Sequence, residues 1–281
     1  PRMPKIHPTA IVEASAELAD GVEIGPYAIV EADVRIGEGT RLAAHAVVRR
    51  HTTLGRNNYV DSGAVLGGLP QDLKFTPETV SYLRIGDGNV FREGVTISRA
   101  TGEGNATVVG NRCYWMADTH AGHNATIEDD VVLVNGSAIA GHATVMRGVL
   151  LSAHAGVHQF CWVGERAMIQ GNGGVSTHVP PYSLMAFGIN KLAGLNLVGL
   201  RRAPDLNDQD RRQIKEAFRL LYRSGLTHAQ ALREMEARDD WTPPARRYVD
   251  FVRRATQADK PFKRGLPALR KRRRSTADPE E

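Results

Sequence analysis

Aliphatic residues recur at every sixth position over most of the first two-thirds of the chain, and this period constrains the fold more than any other feature. Ile6, Val12, Leu18, Ile24, Val30, Ile36, Leu42, Val48, Leu54, Val60 and Leu66 stand in unbroken register. A second series runs Val109, Trp115, Ala121, Ile127, Leu133, Ile139, Val145, Leu151, Val157, Val163, Ile169 and Val175, with Ile85, Phe91 and Ile97 on the same phase. Four residues after an anchor the side chain is usually small, as at Ala16, Val22, Ala28, Val34, Ala46 and Ala64. Such a period is neither that of an amphipathic helix nor the alternation of a half-buried strand. It predicts a mainly β fold, a parallel β-helix built from hexapeptide repeats. Three hexads close one triangular coil of about 18 residues, with a short strand on each side and a turn at each corner. Roughly nine coils at about 4.8 Å spacing would make a prism some 40 Å long, its interior filled by the aliphatic columns.

The register breaks at 67–84 and 99–108, which read as loops projecting from a rigid scaffold, where binding residues tend to collect. From residue 205 the period becomes helical. Asn207 caps a helix with Ile214, Ala217, Phe218 and Leu221 on its apolar face, ending at Gly225. Thr227 and Gln230 form a capping box, with Leu226 and Ala231 as its staple, and Thr242-Pro243 opens a third helix bearing Tyr248, Phe251, Val252 and Ala255. The expected organisation is a β-helix over 1–200, a small α-helical domain over 201–260, and a flexible basic tail over 261–281.

Charge follows this division. The 281 residues carry a net +5, but 1–200 is net −3 and 201–281 net +8. The RKRRR run at 270–274 lacks an aromatic platform or a recognisable module, so nucleic acid is not an expected partner. No apolar run approaches the roughly 18–20 residues of a transmembrane segment, and no signal peptide is apparent. With only Cys113 and Cys161 present, a cytoplasmic location is expected.

Five of the ten histidines fall between positions 120 and 158, and His123, His142 and His158 are separated by 19 and 16 residues. Both spacings are close to one coil, which predicts an imidazole column on one face. His45, His51, His154 and His228 read as surface or corner residues. A His column suits two chemistries. Imidazole, with an unperturbed pKa of about 6.5, can act as general base toward an alcohol attacking an acyl group. Three neutral imidazoles can also hold a catalytic zinc, as in a carbonic-anhydrase-like enzyme.

Further motifs carry a resemblance. Gly67-Gly68-Leu69-Pro70-Gln71-Asp72-Leu73-Lys74, His120-Ala121-Gly122-His123, Ala140-Gly141-His142, Gly156-Val157-His158-Gln159-Phe160, Val179-Pro180-Pro181-Tyr182, Gly199-Leu200-Arg201-Arg202 and Tyr222-Arg223-Ser224-Gly225 occur in order. From about residue 6 to 256 the chain resembles the UDP-N-acetylglucosamine O-acyltransferases of lipid A biosynthesis, within the hexapeptide-repeat acyltransferase superfamily. The resemblance implies a homotrimer of left-handed β-helices with active sites between subunits. It also implies transfer of an R-3-hydroxyacyl chain from acyl carrier protein to the 3-position of the UDP-sugar. The carrier's phosphopantetheine would deliver the acyl group, and no metal or other cofactor is implied.

By the same resemblance His123 is the general base, and Gly141 offers its N–H to the oxyanion. Asp72, Lys74, His120, His142, His158 and Gln159 hold sugar, diphosphate and acyl groups. Asn196, Arg201 and Arg202 lie toward the nucleotide, and Gly171 stands where side-chain size sets acyl length. Asn124 occupies the place of the usual Asp that orients the base, which admits a weakly active paralogue or an N-acyltransferase acting on a 3-amino sugar. Ala203 stands where a second Arg often follows, and Ser98 and Val198 replace a His and a Glu of some members. The basic helical domain, Arg246, Arg247, Arg253 and Arg254 included, is the expected dock for the acidic carrier protein.

Overall fold

The computed structural model describes residues 2–270. The hexad period translates directly into a left-handed parallel β-helix of three sheets, one for each side of a triangular prism. Strands pair one coil apart in strict register: Ile6 opposite Ile24, Ala121 opposite Ile139, and Leu133 opposite Leu151. One sheet holds ten parallel strands, so the prism has about ten coils against the nine expected, and the antiparallel strand Leu192–Leu195 closes its end.

The anchors point inward. From Ile24 onward every anchor of both series is buried, and the small residues Val22, Ala28, Val34, Ala46 and Ala64 are completely so. Each buried aliphatic contributes about 1.5–3 kcal/mol relative to its exposed state, and the column repeats this coil after coil. Phe91, Trp115 and Ala121, which depart in kind or size from the aliphatic rule, are all fully buried, two large side chains and a small one within the same core.

Corners reverse the chain through left-handed backbone. Sixteen non-glycine residues among those described have positive φ, between +52° and +63°, His45, His51, His142 and His154 among them. Both excursions leave the prism from consecutive strands of one sheet, Val65–Gly68 and Thr96–Ser98, and the next strand in that sheet is His120–Ala121. They therefore project from the corner directly next to His123 and Asn124.

The helical region begins slightly earlier than expected. Helix α1 (Leu197–Arg202) straddles the expected boundary at 200, followed by α2 (Asp208–Arg223), α3 (His228–Glu236) and α4 (Pro243–Thr256). The capping boxes of Asn207 with Asp210 and of Thr227 with Gln230 are formed, and Pro243 opens α4. The tail is corrected more substantially, because residues 261–270 run back along the prism. His178 Nε2 donates to Phe262 O at 2.7 Å, His178 N donates to Gly265 O, and Arg270 N donates to Leu192 O. The rest of the expected tail, with most of the RKRRR run, lies outside the described residues.

Candidate active site

A groove of about 580 Å³ runs along the sheet carrying His120–Ala121. Its floor is made by outward positions that are nearly without side chains, since Ala138, Gly156 and Gly174 stack in register. His120, His123, Gly141, His158 and Gln159 line it, and Gln71 reaches in from the first excursion.

The three histidines of the expected column fall in three adjacent columns. Because Ala121, Ile139 and Val157 are in register, His158 aligns with Gly122 and Ala140, His123 aligns with Gly141 and Gln159, and His142 aligns with Asn124 and Phe160. One residue of offset moves a side chain from the first to the second, left-handed position of the corner. His142 accordingly stands at a left-handed corner, its ring stacked on Phe160 at 4.8 Å and meeting His123 edge-on at 5.2 Å. The single column required by a zinc triad is thus replaced by an offset arrangement, and no group of three or more His, Cys, Asp or Glu poised to ligate a metal occurs among the described residues.

His123 is held by its neighbour. Nδ1 lies 2.9 Å from Asn124 Oδ1. Asn124 Oδ1 also accepts from Thr101 N at 2.9 Å and Thr101 Oγ1 at 2.8 Å, while its Nδ2 donates to Thr101 O at 3.1 Å. A backbone N–H can only donate and a carbonyl can only accept, so the amide orientation is dictated. His123 must then donate from Nδ1, which leaves the Nε2 lone pair free. That ring edge lies against Gly141: a Cβ there would stand 2.9 Å from both Cε1 and Nε2 of His123. The Gly141 N–H makes no backbone hydrogen bond among the described residues. Equivalent turn positions carry Pro26 and Pro181, which have no N–H at all, so the fold does not need this donor.

His120 is fixed by Thr96, whose Oγ1 lies 2.8 Å from Nδ1, and burial lowers its pKa from the ordinary value. Burial lowers that of His142 as well, helped by the charge of His123 and opposed by Asp72. Asp72 Oδ1 accepts from Lys74 N at 2.9 Å to shape the loop. His158 and Gln159 are exposed on the groove wall, with His158 Nδ1 3.1 Å from Gln159 O.

Other expected site residues lie elsewhere. Asn196 caps α1, accepting from Gly199 N and donating to Arg166 O, and Arg201 and Arg202 end that helix exposed. Gly171 is at the other corner of the groove-bearing sheet and outside the groove lining. A Cβ there would meet only Ala153 O, at 3.4 Å. The basic-dock expectation needs correction, because most of those arginines are engaged internally. Arg247 pairs with the buried Glu165 at 2.8 Å, Arg253 pairs with Glu236 and Asp250, Arg246 donates to Arg238 O, and Arg254 lies over the Trp162 ring.

Sequence reasoning missed Thr96, Thr101 and Gln71. Counting the second excursion out of the register aligns Thr96 with His120, which would have found the first of them.

Two family models match the chain: UDP N-acetylglucosamine O-acyltransferase, domain 2, over residues 178–266, and the bacterial transferase hexapeptide (six repeats) over residues 15–50. An acyl-(acyl-carrier-protein)-UDP-N-acetylglucosamine O-acyltransferase of Anaeromyxobacter sp. (strain K) is 42% identical over 249 residues, covering 88% of this chain and 96% of that protein. The chain belongs to this UDP-N-acetylglucosamine O-acyltransferase family. The O-acyltransferase of Gloeothece citriformis is 41% identical over 201 residues, 71% of each chain. Among solved O-acyltransferase structures, that of Moraxella catarrhalis is 36% identical with a TM-score of 0.84, covering 93% of this chain and 99% of its own. A UDP-N-acetylglucosamine acyltransferase from Campylobacter jejuni gives a TM-score of 0.84 at 30% identity, covering 95% and 100%. Likeness to the O-acyltransferases thus extends through both the prism and the helical domain.

Proposed function

We propose that this protein transfers an R-3-hydroxyacyl chain from acyl carrier protein to the 3-hydroxyl of UDP-N-acetylglucosamine, an early acylation in lipid A biosynthesis. The observation that carries the proposal is the pairing of a free His123 Nε2 with an unpartnered Gly141 N–H at one wall of the groove. Nε2 takes the proton of the 3-hydroxyl as its oxygen attacks the thioester carbonyl carbon. The carbonyl oxygen becomes an oxyanion facing the Gly141 N–H, an interaction worth about 3–4 kcal/mol where comparable donors have been removed. Collapse of the tetrahedral intermediate breaks the carbon–sulfur bond, and the proton held by His123 passes to the departing thiolate. Asn124 orients the imidazole without contributing charge. His120, His142, His158, Gln159, Asp72 and Lys74 surround the acceptor and diphosphate, and Asn196, Arg201 and Arg202 lie toward the nucleotide. The bare floor of Ala138, Gly156 and Gly174 suits an alkyl chain, and a long one would run past the groove toward the open corner at Gly171. The carrier's phosphopantetheine arm supplies the acyl group, so the reaction needs no metal or other cofactor.

Association as a homotrimer is part of this reading, supported by the exposed apolar side chains Leu69, Leu73, Phe187, Ile189 and Leu197. No helix among the described residues is long and apolar enough to cross a membrane. Action in the cytoplasm, where acyl carrier protein and nucleotide sugar meet, is part of the same reading. The carrier's dock is placed on α2, where Arg212, Lys215 and Arg219 are exposed and make no ion pair among the described residues.

The test is incubation with UDP-N-acetylglucosamine, or its 3-amino analogue, and a panel of 3-hydroxyacyl carrier proteins, with His123→Ala as control. Formation of the 3-O-acyl sugar nucleotide, lost in the control, is expected. Folded, trimeric protein that gives no product with any chain overturns the proposal, and product from the amine alone reassigns the acceptor.

A further inference from the structure

The neutral Asn124 poses a problem that a carboxylate would not. An amide has nearly the same shape in both orientations, and if it flipped, Nδ2 would face His123 Nδ1. The ring would then have to accept at Nδ1 and carry its proton on Nε2, where it could not take a proton from an acceptor hydroxyl.

The surroundings of Asn124 decide the orientation, and they come from the second excursion. Thr101 donates twice to Oδ1, from N and from Oγ1, and accepts from Nδ2 through its own carbonyl. Asn105 Nδ2 holds the same carbonyl at 3.0 Å, and Asn124 N donates to Thr107 Oγ1 at 2.8 Å, securing the left-handed corner. The excursion is itself anchored. Glu103 accepts from Val80 N, and Arg99, almost fully buried, donates to the carbonyls of Pro77 and Ser81.

We propose that Thr101 is a positioning residue for His123: its donors fix Asn124 Oδ1 toward the ring, keep the imidazole proton on Nδ1, and leave Nε2 as the basic atom. This deepens the reading of His123 as general base and rests on it. It gives the second excursion a function, namely to let an uncharged residue do the orienting work of a carboxylate.

Thr101→Pro removes both donors to Asn124 Oδ1, the backbone N–H and the hydroxyl, whereas Thr101→Val leaves the N–H in place. In the Asn124 protein the proline change is expected to lower kcat about 5- to 10-fold with KM nearly unchanged, and Thr101→Ser, which keeps both donors, is expected to stay within about 2-fold. With Asn124→Asp there is no amide to flip, so adding Thr101→Pro should cost less than about 2-fold. Nitrogen NMR of the His123 ring at pH 8 reads the tautomer directly: Nδ1–H in the parent, and a mixture with Nε2–H in the proline variant. This measurement needs no substrate, so it remains decisive if the acyl transfer reading fails. Thr101→Val, with one donor lost and a smaller share of Nε2–H expected, serves if the proline variant does not fold. A ring that stays wholly Nδ1–H in the variant that folds, or an equal loss of rate in both backgrounds, overturns the proposal.

Discussion

His123 and Gly141, one coil apart, share a single volume: the imidazole edge occupies the space a side chain at 141 would need, at 2.9 Å from both Cε1 and Nε2. Gly141→Ala must therefore displace the ring or the corner. We expect kcat to fall at least about 100-fold, consistent with loss of a donor or of base alignment. The melting temperature should change by only a few degrees, because the methyl meets a half-exposed ring rather than the core. A variant with full activity would remove Gly141 from the reacting centre.

Glu165 ties the prism to the helices. Its side chain is buried, accepting from Arg147 at 2.7 Å and Arg247 at 2.8 Å, with Arg166 at 3.8 Å. Burial pushes its carboxyl pKa up, but hydrogen bonds from Arg247 and Arg147 outweigh that and leave it below the usual carboxylate range. Glu165→Gln removes the buried charge these guanidinium groups share, but Arg147 and Arg166 keep Asp205 and Arg247 is half exposed, so the change should cost about 1–2 kcal/mol in urea unfolding. Arg253→Ala breaks a partly exposed pair and should cost less than about 1 kcal/mol.

Acid stability should depend on His178. This ring is completely buried, accepts from Trp162 N at Nδ1 and donates to Phe262 O, and burial pushes its pKa down to about 4. The unfolded chain binds the proton near pH 6.5, so between about 6.5 and 4 it holds more protons than the native state. Stability is complete above pH 6.5 and declines as pH falls toward 4, by about 3 kcal/mol. Chemical unfolding at pH 7 and pH 4 should show the difference, and His178→Gln should flatten this limb.

The carrier dock gives a kinetic prediction. Reversing charge at Arg212, Lys215 and Arg219 should raise KM for the acyl carrier protein at least about 10-fold and weaken its salt dependence, with UDP-N-acetylglucosamine KM unchanged. An unaltered salt dependence would remove α2 from the docking surface.

The prism was legible from sequence because the aliphatic period survives ten coils and two interruptions, and Trp115 and Ala121, successive anchors of one coil, stay buried within it. The helices were legible through Asn207, Thr227 and Pro243, which act on their own first turns. The finer site was less so. His142 differs from His123 by one residue of phase, enough to move it from the first to the second, left-handed position of the corner, and spacing alone does not mark where a coil bends. Arg247 looked available because Glu165 is 82 residues away in sequence. Phe262 looked like tail because the carbonyl it offers to His178 is invisible in residue type.

The left-handed corners have a consequence for engineering. A side chain in that conformation costs roughly 1–2 kcal/mol, less for Asn, and next to nothing for Gly. Tyr27, His45, His51 and His154 bear this cost away from the groove, so glycine or asparagine at these four corners offers a route to a hardier catalyst. His142 and Phe160 bear it beside His123, where relaxing the backbone would trade alignment for robustness. The same turn, repeated down the prism, thus separates positions open to improvement from positions that evolution has reason to leave strained.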